Sequence, residues 1–190
     1  MASFIVLITL LAAAGLDQQQ PPPQVPAVEF TVEVLGDKLA DFSVRMDAYA
    51  ALRKSLEKGL PPLVVTDNPS EIVRAERLLA QRIRRARAGA RRHDIFTDEI
   101  RHGFRQLLRP VTTPATCAQI ADDNPGEFQY QVNASYPKDR PVSTVPAAML
   151  NVLPRLPDMV FYRFLDTDLI LHDTRANIIL DRIDNSIRCR

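Results

Sequence analysis

Proline is distributed unevenly along this chain of 190 residues, and its distribution indicates where long helices and strands can form. Eight of the fifteen prolines lie between residues 110 and 157. Because proline lacks an amide hydrogen and fixes its own φ angle, this region is unsuited to long helices and central strands. We therefore expect long regular elements before residue 110 and after residue 157.

The first long helix is predicted to begin near Asp37. Apolar residues then recur at helical spacing, and Gly59 follows the last turn as a terminating residue. Ahead of this helix, residues 28–34 alternate between apolar and polar side chains. This alternation predicts a short strand that ends at Gly36.

The second helix has the clearest start signal in the chain. Asn68 is placed as an N-cap, Pro69 occupies the first helical position and Glu71 the third. A third, shorter helix is predicted to open at Thr97 and to stop before Pro110.

After Pro110 we expect short elements. These are a helix over residues 115–121, a strand over Phe128, Tyr130 and Val132, and a helix that starts after Thr144. The chain then predicts an antiparallel meander of three strands. Helices followed by strands, without regular alternation, indicate the α+β class. The predicted strands of the meander are Val160–Leu165, Leu169–Asp173 and Asn177–Ile183.

The first sixteen residues contain no charged side chain. Their apolar run is shorter than the ~20 residues that a membrane-spanning helix needs, but it suits the apolar part of a secretory signal. The small residues of Ala12-Ala13-Ala14 favour cleavage after Ala14. We therefore predict a signal peptide over residues 1–14, a Pro/Gln-rich linker over 15–27 and one α+β domain over 28–187. The alternative is an apolar N-terminal helix or strand that is retained in the fold.

The bulk charge predicts no general attraction to nucleic acids or membranes, because the formal net charge is only +1. Cys117 and Cys189 are the two cysteines. Cys189 lies one residue from the end of the chain, where order is usually poor, so we expect two free thiols. The alternative is a disulfide, which suits an oxidising compartment.

The predicted meander holds the best candidates for catalysis, namely His172, Asp173 and Asp181. A histidine among carboxylates can serve as a general base. In an alternating strand, however, His172 and Asp173 point to opposite faces. The default interpretation is that these are turn and surface residues, so no catalytic residue is assigned.

The second helix is rich in arginine between residues 74 and 92, which suggests an anion-binding surface. Arg84, Arg85 and Arg91 are its candidate residues. The arginines spread around the whole polar side of the helix, and no aromatic residues lie between them for stacking on bases. A solvated helix face is therefore the favoured interpretation, and specific nucleic-acid binding is not expected.

Motifs for cofactors and metals are missing from the sequence. It has no phosphate-binding glycine loop, no G-x-S-x-G, no H-E-x-x-H and no C-x-x-C pair. Glu99 and His102 have a spacing used in di-iron bundles, but His102 falls on the predicted solvent side of its helix. We therefore assign no cofactor and no metal ligand.

Six segments together resemble a family of uncharacterised exported bacterial proteins. The resemblance covers most of residues 38–184 and implies a bacterial, exported protein, but it brings no activity and no site residues. The segments are Asp94-Ile-Phe-Thr-Asp-Glu-Ile, Asp123-Asn-Pro-Gly-Glu, Val132-Asn-Ala-Ser-Tyr-Pro, Thr144-Val-Pro, Leu156-Pro-Asp-Met-Val-Phe-Tyr-Arg-Phe and Asp168-Leu-Ile-Leu-His-Asp-Thr-Arg-Ala-Asn-Ile-Ile-Leu-Asp.

Three functional hypotheses follow. The favoured one is an exported, non-catalytic interaction or envelope-associated protein, in the periplasm or secreted, whose partner is an envelope protein or an anionic polymer. The second is a hydrolase that uses carboxylates of the meander, near Asp173 and Asp181. The third is a binder of anionic envelope ligands through the arginine-rich helix.

Overall fold

A computed structural model describes residues 27–60, 68–126, 128 and 130–189. Within these ranges, five α-helices precede a three-stranded antiparallel sheet at the end of the chain. The predicted α+β class is thereby confirmed. The predicted signal peptide lies outside the described residues, as does the predicted linker except for Ala27.

The first helix, α1 (Ala27–Glu57), runs through the residues for which we predicted a strand. That prediction was wrong, because the alternating pattern continues directly into the helical repeat and only Gly36 separates them. A single glycine inside a helix costs about 1 kcal/mol and does not have to end it. Gly59 is the effective terminator, with a φ of +74°.

The second helix, α2 (Pro69–Ala86), starts as predicted. Asn68 is the N-cap, and its side-chain oxygen accepts a hydrogen bond from the Ser70 amide at 3.1 Å. The third helix, α3 (Asp98–Leu108), is capped by Thr97 and continues into a short 3-10 turn, Arg109–Val111. Both predicted starts are confirmed.

The three helices pack their apolar sides into one core. Phe42 of α1 meets Phe104 of α3 with ring centroids 4.9 Å apart, and Phe96 packs on both rings. At Gly103 a side chain would lie 3.2 Å from Leu35, so glycine permits the close approach of α1 and α3.

Short elements occupy the proline-rich region, as expected. They are α4 (Pro114–Asp122) and α5 (Ala147–Leu150). The strand predicted over Phe128, Tyr130 and Val132 is absent at these residues. The chain instead turns at Asn133, with a φ of +66°, and makes one isolated bridge at Ser135.

The sheet consists of β1 (Val160–Leu165), β2 (Asp168–Asp173) and β3 (Ile178–Ile183), in the order β1-β2-β3. The predicted meander is confirmed within one residue at each boundary. Asp166 and Asn177 adopt the left-handed backbone conformation in the two connections, which Asp and Asn tolerate well.

One face of the sheet is covered by helices, and the other is covered incompletely by irregular chain. The helix face packs against α1, α2 and α3, and the loop face packs against Phe128, Tyr130 and Tyr136 of the proline-rich region. Burial of both faces explains why β2 and β3 are almost continuously buried. The helix face includes Tyr162, Phe164, Leu171, Asp173, Leu180 and Asp181, and the loop face includes Phe161, Arg163, Leu165, Ile170, His172 and Ile179.

A disulfide joins Cys117 of α4 to Cys189. Our expectation of two free thiols was wrong, because the end of the chain is held in place. Ile187 is only 4% exposed and belongs to the core on the helix face, so Cys189 is positioned beside α4.

Candidate functional site

Asp181 is fully buried on the helix face and organises the connection between α2 and α3. Its carboxylate accepts hydrogen bonds from the backbone amides of His93, Ile95 and Phe96 at 2.8–2.9 Å. The amide of Arg182 adds a fourth at 2.8 Å. Four backbone donors satisfy a buried carboxylate, so this side chain has the geometry of a structural anchor.

Asp173, also fully buried, joins α1 to the end of β2. It accepts hydrogen bonds from the Tyr49 hydroxyl at 2.5 Å, from Arg53 at 3.2 Å and from the Ala176 amide at 3.0 Å. Burial, reinforced by the Asp173 charge, raises the pKa of Tyr49, so the phenol keeps the proton that it donates. The carboxylate is thus committed to contacts within the fold.

His172 lies on the opposite face from both acids, as the alternation of side chains in a strand requires. Its Nε2 is 3.0 Å from the Asn177 side-chain oxygen, and its ring stacks on Tyr136 at 5.0 Å. Burial is the main cause that lowers the pKa of His172, which favours the neutral imidazole. The structure therefore does not bring the three catalytic candidates together.

The arginine-rich helix divides into structural and exposed residues. Arg84 donates to the Asn133 carbonyl at 2.9 Å and to the Ser135 hydroxyl at 2.7 Å. These bonds tie α2 to the irregular chain that covers the loop face, which explains Arg84 without a ligand. Arg85 and Arg91 are exposed to solvent.

Arg87, which we did not single out, is the C-cap of α2 and also makes part-buried contacts. Its guanidinium donates to the Asn133 side chain at 3.1 Å and to the Leu180 carbonyl at 3.0 Å, and it lies 5.5 Å from the Tyr49 ring centroid. Burial lowers the pKa of Arg87, opposed by the charges of nearby acids including Asp181. It belongs to the same interface network as the two buried carboxylates.

An apolar groove of about 470 Å³ lies between residues 144–156 and β1; we call it the β1 groove. Leu150 and Phe161, which line it, are 49% and 44% exposed. Arg155 and Arg163 supply positive charge, and no carboxylate is among the described residues that line it. The Arg163 guanidinium lies 5.1 Å from the Phe161 ring centroid.

A second, more polar cleft of about 790 Å³ lies where Asn124, Gly126, Phe128 and Tyr130 approach the turn between β1 and β2; we call it the Tyr130 cleft. The Tyr130 hydroxyl donates to Asp168 at 2.5 Å, and burial, aided by this carboxylate, raises the pKa of Tyr130. The cleft also contains Asn124, Phe128, Asp166 and Asn185.

Sequence reasoning missed both cavities as sites, although the β1 groove carries a signal. Phe161 occupies an outward position of β1, where a polar residue is the usual choice, and so marks an exposed apolar surface. The Tyr130 cleft has no comparable signal, because it joins residues about forty to sixty positions apart in the chain. Only the folded chain brings them together.

Comparison of the chain with protein-family models, curated proteins and solved structures found no significant match. Among the helices of the described ranges, none combines the length and apolarity that a membrane span requires. In the same ranges, no three His, Cys, Asp or Glu side chains are grouped in a way that could hold a metal ion.

Proposed function

We propose that this chain is an exported protein that acts by binding a partner polypeptide, without catalysis, and that the β1 groove is the docking surface. The observation that carries this proposal is an apolar groove with two large, exposed apolar side chains in its lining. Leu150 and Phe161, which line the β1 groove, are 49% and 44% exposed. A contiguous exposed apolar surface with a polar rim is typical of an interaction site.

The charge of the β1 groove favours a particular kind of partner. Arg155 and Arg163 are its charged lining residues in the described chain. A partner segment with apolar side chains and at least one carboxylate would fill the groove and pair with the exposed Arg155, whereas Arg163 already donates to the Ser143 carbonyl at 3.1 Å. We therefore propose an apolar peptide segment that carries Asp, Glu or a free carboxyl terminus.

The buried acids support a non-catalytic role. Asp173 and Asp181 both have 0% exposure, and each accepts several hydrogen bonds from the protein itself. A hydrolase that used either residue would have to open the interface between the helices and the sheet. Their contacts instead fit a framework that holds the binding surfaces in place.

Two observations support export. The first sixteen residues form an uncharged, mostly apolar segment of signal-peptide type. The Cys117–Cys189 disulfide suits an oxidising compartment. Mass spectrometry of the mature protein from fractionated cells tests this part of the proposal: an N-terminus at Gly15 in an exported fraction is expected, and cytosolic protein that retains Met1 would contradict it.

Selection from a random peptide library against the intact, disulfide-bonded protein tests the docking surface. We expect enrichment of apolar peptides that contain Asp or Glu. The double variant Leu150→Ser/Arg155→Glu should weaken binding of a selected peptide about tenfold or more, since it removes an apolar contact and reverses a charge.

The matched control is Leu78→Ser/Arg85→Glu, which makes the same chemical changes at exposed positions of α2. Its affinity should equal that of the unaltered protein. If both double variants bind the peptide equally well, or if no peptide is enriched, the β1 groove is not the docking surface.

A further inference from the structure

The Tyr130 cleft has a rigid frame on which a small-molecule site can be built. The Asp168 carboxylate accepts from the Tyr130 hydroxyl at 2.5 Å and from the Asn185 amide at 2.7 Å. It therefore fixes the irregular chain on one side and the segment after β3 on the other. The volume of about 790 Å³ falls within the range of small-molecule pockets.

The groups that remain free to meet a ligand are planar and polar. The Asp166 side chain is exposed and lines the cleft. The side-chain oxygens of Asn124 and Asn185 accept from the Gly126 amide at 3.3 Å and from the Thr167 hydroxyl at 3.4 Å, which leaves the carboxamide N–H groups as donors to a ligand. Such planar groups can hold two neighbouring hydroxyls of one molecule at the same time.

Aromatic rings supply the apolar part of the cleft. Phe128 and Tyr130 pack edge to face, with centroids 5.5 Å apart, and both rings line the cleft. The Arg182 guanidinium covers one face of Tyr130 at 4.7 Å. A ligand with apolar C–H groups on one side and hydroxyls on the other matches this division.

The charge of the cleft argues against an anionic ligand. Asp166 and Asp168 are its charged lining residues in the described chain. The two arginines nearby are occupied, since Arg182 pairs with Asp184 at 3.0 Å and Arg140 donates to the Pro125 carbonyl at 3.3 Å. A neutral or cationic ligand is favoured by Coulomb's law.

We propose that the Tyr130 cleft binds a saccharide built from neutral or amino sugars. Hydroxyl groups would bond to Asp166, Asn124 and Asn185, and a sugar ring would pack on Phe128. This site shares no lining residue with the β1 groove, so the saccharide proposal does not depend on the peptide-binding proposal.

Calorimetric titration with defined tetrasaccharides, in buffer that contains EDTA, tests the proposal. The probes are cellotetraose and chitotetraose, which are neutral, the glucosamine tetramer, which is cationic, and the galacturonic acid tetramer, which is anionic. We expect at least one neutral or cationic probe to bind in the millimolar range or tighter, and the anionic probe to bind more weakly than that one.

The test variant is Asp166→Gly/Asn185→Gly. Both positions have positive φ, at +55° and +46°, so glycine removes the side chains and tolerates the backbone conformation. We expect about tenfold weaker binding of the probe. The control is Met159→Gly, at another positive-φ position outside the cleft, and it should bind normally.

Folding of each variant is checked by its thermal unfolding transition, and Asn124→Ala offers a second variant that leaves both turns intact. The proposal is overturned if no tetrasaccharide binds at several millimolar, if the anionic probe binds as tightly as the others, or if a correctly folded Asn124→Ala or glycine variant binds unchanged.

Discussion

The two faces of the sheet are covered by different kinds of structure and treat their polar groups differently. On the helix face, regular helices cover the strands, and the buried charges of Asp173 and Asp181 are fully hydrogen-bonded. On the loop face, irregular proline-rich chain covers the strands, and the buried Nδ1 of His172 and Nε of Arg163 have no hydrogen-bond partner in the described residues.

This difference separates the framework from the surfaces available for binding. The cover on the loop face is incomplete, and the β1 groove and the Tyr130 cleft both lie where the irregular chain meets the strands. The helix face supplies stability, because its polar contacts are closed to solvent. Substitutions on the two faces should therefore have different consequences.

Asp181→Ala should cause the largest loss. It leaves four backbone amides without their acceptor, and we expect the free energy of unfolding to fall by about 3–5 kcal/mol. Urea denaturation measures the change. Asp166→Asn, an exposed carboxylate in the β1–β2 turn, should change stability by less than about 0.5 kcal/mol. Equal effects of the two substitutions would remove the distinction between framework and surface.

Removal of the disulfide should cause the second-largest loss of stability. Cys117→Ser/Cys189→Ser opens a link between residues 72 positions apart and releases the tail that carries Ile187. We expect a loss of about 2–4 kcal/mol in the free energy of unfolding, and thus a lower Tm. Peptide binding at the β1 groove should persist below that Tm. If the double-serine variant is as stable as the unaltered protein, the disulfide does not hold the C-terminal tail in place.

A matched pair of tyrosines compares the faces directly. Tyr49 donates to the buried Asp173 carboxylate, whereas Tyr136 donates to the Pro141 carbonyl at 2.8 Å on the loop side. Hydrogen bonds to charged groups are worth about 1.5–3 kcal/mol and neutral ones about 0.5–1.5 kcal/mol. Tyr49→Phe should therefore destabilise more than Tyr136→Phe in the same denaturation assay, and the reverse order would count against the comparison.

The smallest expected effect is on the pH dependence of folding stability. The folded-state pKa of His172 lies below the ordinary value of about 6.5, mainly through burial. The unfolded chain therefore takes up a proton first, and stability is lost as pH falls from about 6.5 towards the folded-state pKa. His172→Gln should reduce this loss, whereas His102→Gln, at an exposed position of α3, should not. Identical pH profiles for all three proteins would exclude the effect.

Local signals made much of the fold predictable. The N-cap at Asn68, the cap at Thr97 and the three strands of the meander all depend on residues close together in sequence, and each is confirmed. The strand predicted over residues 28–34 failed for a local reason as well. Alternation over so few residues does not distinguish a strand from the start of a longer amphipathic helix.

The features that the sequence did not predict depend on contacts between residues far apart in the chain. An acid within the apolar run Asn177–Ile183 signals a buried carboxylate, but its partners at His93, Ile95 and Phe96 lie more than eighty residues away. The disulfide likewise depends on how Ile187 packs. The sequence indicated which residues were unusual, whereas their contacts required the fold.

The most direct test of the division between the two faces is site-specific photo-crosslinking in living cells. A photoreactive phenylalanine analogue is placed at Phe161 in the β1 groove or, as the control, at Val44 on α1, which is 66% exposed. We expect a discrete, light-dependent protein adduct at position 161 and none at position 44. No adduct at 161, or the same adduct at both positions, would contradict it.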